Sequence, residues 1–428
     1  MNRPLLISLL LMIAGGRWLS QLWIFGIPLG DLCFWFGILA TIFQNRARVA
    51  TRNLHLSSLV LNFFKLYSIF VILRIIFTLT YPTEFYDGMF LVFRDSAPFL
   101  AIGMVGFLAT RLQLANFQVQ CQQRSYLLAA SVLAVLFNLI SLYATGGEGF
   151  MIAPSLFHLP LLSVRSDQIP ISLIPLVFFL MIRSATNSKF PLLILFFLYA
   201  AILYKTSSRS TLLAMLLIFL MSINYIFQGT YRRQARSIFL LFFAGAIASL
   251  FFAGAKINAF NKLVSGLGYV ELVNGVSDIQ VSGVNTQQAR IRAWQLIKDK
   301  FSLDNFFGFP PGDNYILRSG ASNYLSGSDL VRSPHNFFVN IFARNGIFIG
   351  VFLTLSIFIM IYFSILNLIS NPSNLLDWIA ATFLMTVLLV SSIGVVLESP
   401  FGYIPFTIFA SYILARRRLF EDISNHNP

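Results

Sequence analysis

Three side chains in this sequence have the types and placement to do chemistry at a membrane surface. His335 stands in Ser333-Pro-His-Asn336, where a polar stretch gives way to a long apolar run. An imidazole titrates near neutrality and can take a proton from a hydroxyl. The bland alternative is a helix-capping or interfacial histidine. Arg209 stands in Lys205-Thr-Ser-Ser-Arg-Ser210, a short turn between two apolar runs. Its alternative is a guanidinium that snorkels to the interface. Arg290 and Trp294 are four apart in Ala289-Arg-Ile-Arg-Ala-Trp294, so on a helix they share a face and Arg292 points elsewhere. The alternative there is a solvated helix anchored by its tryptophan. Arginine forks bind phosphate oxygens bidentately. Two of them with an imidazole suit a substrate carrying a pyrophosphate and a nucleophile that must lose a proton.

Other polar residues offer less. His55 lies beside a basic loop, His158 in a second polar loop and His426 in the C-terminal tail. Lys65 and Arg74 fall inside one apolar run, and Arg94 and Asp95 inside the next. Charges at membrane depth are costly and face a cavity or each other. Arg94 and Asp95 therefore form a structural ion pair or, with Arg74, line a pocket for a lipid phosphate. There is no HExxH, P-loop or GxSxG motif, and no outer loop carries an Asp-x-Asp pair, so neither a metal nor a cofactor is expected. Cys33 and Cys121 lie in different segments and suggest neither a disulfide framework nor a metal site.

The elements that must hold these groups are membrane helices. Of 428 residues, 57% are apolar and 11% are charged, against about 25% charged in a soluble domain. Apolar runs of about 17–25 residues recur, which is the length that crosses a bilayer. The expected fold is an all-α polytopic membrane protein with about twelve spans at 4–16, 27–44, 57–80, 89–109, 125–144, 169–183, 190–204, 210–228, 237–255, 336–364, 377–397 and 403–415. The run from 336 is long enough to begin outside the membrane or to tilt.

The net charge of +14 would suggest nucleic acid in a soluble protein. Here most of the cations sit in short loops between apolar runs, so topology explains them and no nucleic-acid partner is expected. One set of loops holds Arg46, Arg48 and Arg52, then Arg111 and Arg124, then Arg183 and Lys189, then Arg232, Arg233 and Arg236, then Arg416, Arg417 and Arg418. The other set holds Glu84 and Asp87, then Glu148 with Arg165 and Asp167, then Glu398. Basic loops face the cytoplasm, so both termini are expected inside. Three parts follow: helices 1–9 in residues 1–255, a large outer loop at 256–335, and three more helices with a cytoplasmic tail in 336–428. The loop should contain a helix over Gln287–Lys300 and then the turn-rich Phe306–Asp313. Loops on a rigid scaffold are where function sits.

The pattern resembles the O-antigen ligase and O-antigen polymerase superfamily. Its Arg turn matches Ser207-Ser-Arg-Ser-Thr-Leu-Leu213. Its Arg-x-x-x-Trp with a downstream glycine turn matches Arg290–Trp294 followed by Gly308-Phe-Pro-Pro-Gly312, which departs from the usual Gly-x-Gly. Its His-Asn box matches His335-Asn-Phe-Phe-Val, followed by Asn345-Gly-Ile-Phe-Ile-Gly350. The motifs cover roughly residues 190–365. The resemblance implies a GT-C-like fold in the bacterial inner membrane with a periplasmic active site. It implies inverting glycosyl transfer without a metal, from a glycan on undecaprenyl pyrophosphate to a sugar hydroxyl on a lipid-core or glycan acceptor. His335 would be the base, Arg209 and Arg290 would bind the pyrophosphate, Arg292 would stand in for Arg290, and Asn336 would orient His335. The competing class is a transporter or flippase for a lipid-linked or amphipathic solute. Paired broken helices and repeated halves would mark it, and neither is visible.

Overall fold

The computed structural model describes residues 3–21, 23–24, 27–44, 56–81, 88–112, 126–144, 152–156, 159–162, 168–186, 190–205, 209–228, 282–300, 306–325, 334–392, 394 and 396–426. The fold is helical. In chain order the membrane-type helices are α1 (Arg3–Gln21), α2 (Leu29–Gln44), α3 (Leu56–Thr80), α4 (Met89–Arg111), α5 (Tyr126–Ala144), α6 (Gln168–Thr186), α7 (Phe190–Lys205) and α8 (Arg209–Gln228). The loop helices α9 (Ser282–Asp299), α10 (Tyr315–Arg318) and α11 (Ser322–Leu325) follow, then α12 (Phe337–Ser370), α13 (Leu375–Ser391) and α14 (Pro400–His426). Five helices among the described residues are long and apolar enough to cross a membrane: Leu56–Thr80, Met89–Arg111, Gln168–Ala185, Ser210–Gln228 and Phe337–Ser370. Shorter apolar helices fill other expected spans, and the expected span 237–255 lies outside the described residues. Two short antiparallel hairpins also form, Trp23–Ile24 with Ile27–Pro28 and Ile152–Leu156 with Leu159–Leu162, where the chain reverses between helices.

The core sits around α14. Its stretch from Phe401 to Ala415 is buried on every side, as expected of a helix apolar all round. It packs against α1, α4, α12 and α13. Helices α3 and α4 pair closely because α4 offers glycines. A Cβ on Gly103 would lie 2.7 Å from Ser68 Cβ, and one on Gly106 would lie 2.5 Å from the Leu61 carbonyl oxygen. Small residues are how helices approach in a bilayer, where burial against lipid gives little drive.

Helix ends assort into two sets. At one end Ser57 donates to Glu421 at 2.5 Å, Arg111 reaches the Ile42 carbonyl at 3.5 Å, and Arg416 pairs with Asp377 at 2.8 Å. At the other end Gln168 lies against Gly16 and Gly312 donates to Asp95 at 3.1 Å.

Candidate functional site

The candidate site lies where helix α9 meets the start of α12. The Trp294 indole N–H donates to the Pro334 carbonyl at 2.7 Å, tying α9 to the residue before His335. His335 has a left-handed backbone, with φ +55°. Few non-glycine residues adopt that region, histidine more readily than most, and strained residues cluster at functional sites. The turn ends at Asn336, whose side chain accepts from the Phe338 and Val339 N–H groups at 2.9 and 3.2 Å. Asn336 is therefore the N-cap of α12, and that it orients His335 stays an expectation. His335 is half-buried.

Arg290 lies one turn before Trp294 on α9 and is also half-buried. Arg292 is exposed, with its guanidinium carbon 5.5 Å from the centre of the Tyr324 ring. Arg209 opens α8, and its side chain lies outside the described residues. Thus the Trp294–Pro334 hydrogen bond brings α9 and the His335 turn together, whereas the placement of the Arg209 guanidinium beside them stays an expectation. His55, His158 and the His426 side chain also lie outside the described residues.

Below this junction a second polar cluster holds the turn Phe306–Asp313. Helix α12 is kinked at Gly346, with φ +75° and ψ 175°. The turn docks into the break: Phe309 N–H donates to the Ala343 carbonyl at 2.7 Å. A Cβ on Gly346 would fall 1.9 Å from the Phe306 carbonyl oxygen, and one on Gly308 (φ +74°) would fall 2.6 Å from the Ala343 carbonyl oxygen. Glycine is needed at both positions for its backbone conformation and for close approach. This gives the Gly308 and Asn345-Gly motifs a joint structural meaning.

The polar groups of the turn are met by charged side chains from three helices. Arg344 donates to Asp95 at 2.6 Å and to the Pro310 carbonyl at 2.5 Å, with its guanidinium 4.7 Å from the Tyr315 ring centre. Asp95 also accepts from Gly312. Arg74 donates to the carbonyls of Phe309 at 2.9 Å, Gly308 at 3.3 Å and Arg344. The expected Arg94–Asp95 pair is corrected here: Asp95 pairs with Arg344, because neighbouring positions on a helix point in different directions. Arg94 is exposed on α4. Arg74, expected at a lipid-phosphate pocket, aims its guanidinium at backbone carbonyls.

Arg344 escaped the sequence analysis. It lies between the His-Asn and Gly-x-x-Gly motifs, inside a long apolar run. The test applied to Lys65, Arg74, Arg94 and Asp95, a charge at membrane depth, would have found it.

No curated protein matches the chain. Residues 194–355 match the family model described as O-antigen ligase. The matched stretch runs from α7 into α12 and contains Arg209, Arg290, Arg292, His335, Asn336 and Arg344, while Arg74, Arg94 and Asp95 precede it. The apolar helices are those of a membrane protein, and residues 194–355, under half of the chain, are similar to the O-antigen ligase family.

Proposed function

We propose that this protein is a membrane glycosyltransferase of the bacterial inner membrane, moving a glycan from undecaprenyl pyrophosphate to a sugar hydroxyl as a ligase or a polymerase. Residues 1–255 and 336–428 form its membrane part and 256–335 its periplasmic loop. Both termini are cytoplasmic. The acceptor oxygen attacks the anomeric carbon as His335 takes its proton. The carbon–oxygen bond to phosphate breaks with inversion, and undecaprenyl pyrophosphate leaves. Arg209 and Arg290 hold the pyrophosphate and the charge that grows on it. Arg292 is a second contact, and Arg94 meets the lipid phosphate. Pyrophosphate is already a good leaving group, so positioning, charge stabilisation and a base suffice without a metal.

The observation that carries this reading is the His335 turn. A left-handed histidine sits at the start of a membrane helix, and the helix bearing Arg290 is bonded to the residue before it. The test uses protein in nanodiscs with an undecaprenyl-pyrophosphate-linked repeat unit, with and without a lipid-core acceptor. Gels and mass spectrometry read the products. Longer chains still on undecaprenyl pyrophosphate mean polymerase; glycan on the core acceptor means ligase. His335→Ala should abolish transfer with normal membrane insertion, and unchanged activity would remove His335 as the base. No transfer by the unaltered protein would favour transport.

A further inference from the structure

We infer that Asp95, Arg344 and Arg74 form a positioning device through which the membrane bundle sets the outer-loop turn, and with it the Trp294–His335 junction. The inference rests on the transferase reading for its effect on rate, but not for its effect on the turn.

Irregular backbone near membrane depth must have its polar groups met by protein. Here the carbonyls of Gly308, Phe309 and Pro310 and the N–H of Gly312 are met by Arg74, Arg344 and Asp95. The side chains of Asp95 and Arg344 are 8% and 5% exposed. A buried ion pair on its own is weak support for a fold, since apolar residues of similar volume often serve as well. This one does something that apolar residues cannot, because each partner also bonds the backbone of the turn.

From the turn, contact runs to the site. Phe309 stacks on Tyr315, with ring centres 5.3 Å apart. Both belong to a small core with Ala293 and Ile297 of α9 and Ala343 of α12. Tyr315 donates to Asn340 of α12 at 2.8 Å. Helix α9, so seated, presents Trp294 to Pro334. Asp95 and Arg74 come from outside the matched domain, so helices of the N-terminal half align the catalytic loop.

Amide hydrogen exchange and transfer kinetics in nanodiscs test this on Asp95→Asn, Arg344→Lys and the exchanged pair Asp95→Arg/Arg344→Asp. In Asp95→Asn the Phe309 and Gly312 amides should exchange faster, and kcat should fall about 100-fold, as a small misplacement of reacting groups does, with donor KM little changed. The exchanged pair should not recover. A carboxylate at 344 cannot donate to the Pro310 carbonyl, and a guanidinium at 95 cannot accept from the Gly312 N–H. Arg344→Lys keeps the charge without the fork and should be intermediate; it carries the test if Asp95→Asn does not insert. Unchanged exchange overturns the proposal, as does faster exchange with full kcat, or recovery in the exchanged pair. If the unaltered protein transfers nothing, the transferase reading falls while amide exchange still decides the clasp.

Discussion

Two buried arginine–aspartate pairs stand at opposite ends of the helix bundle. Arg416 and Asp377 meet at 2.8 Å with side chains 9% and 1% exposed; Arg344 and Asp95 meet at 2.6 Å and are buried to a similar degree. Their surroundings differ. Asp377 also accepts from the Tyr412 hydroxyl at 2.6 Å, so that site is a side-chain lock between α13 and α14, 39 residues apart in sequence. Asp95 and Arg344 are 249 residues apart, and each also bonds the backbone of a third segment. The first pair fixes helix against helix, and the second fixes a turn against helices. Burial and distance alone would not separate them; what each charge does with its remaining hydrogen-bonding capacity does.

The comparison is sharpest under truncation. Arg344→Met leaves the Asp95 carboxylate buried without its ion partner, at a cost of about 3–5 kcal/mol. Thermal unfolding in detergent should fall accordingly, and transfer per folded molecule should be lost. Arg416→Met should cost a similar ~3–5 kcal/mol yet leave turnover per folded molecule unchanged. If both variants lose turnover alike, the distinction between the two pairs fails. Gly346→Ala forces a side chain into a left-handed backbone against the Phe306 carbonyl. It should cost roughly 1–3 kcal/mol, with exchange quickening in Phe306–Asp313 and not near Asp377. Asn336→Ala removes the α12 cap at about 1 kcal/mol. Asn336→Asp should restore the stability.

Much of the helical scaffold is legible from apolar run length. The expected runs 57–80 and 89–109 appear as Leu56–Thr80 and Met89–Arg111. The expected loop helix Gln287–Lys300 appears as Ser282–Asp299. The long run from 336 proves to be one helix broken at Gly346. The break is hidden because nothing near Gly346 in sequence causes it; a turn some forty residues upstream does. Likewise Asp95 suggests a partner next door at Arg94, since sequence displays neighbours and not contacts. His335 and Arg290 are visible through residue type and spacing. The left-handed turn at His335 is not, because histidine carries no strong local signal for it.

The long separation of Asp95 from Arg344 also has a consequence for biogenesis. Helix α4 must enter the bilayer before the arginine partner of Asp95 has been made. At about 5–20 residues per second, the 249 residues between them take roughly 12–50 seconds to synthesise. Over that interval the newborn N-terminal half waits in an unfinished state that only the arrival of α12 completes.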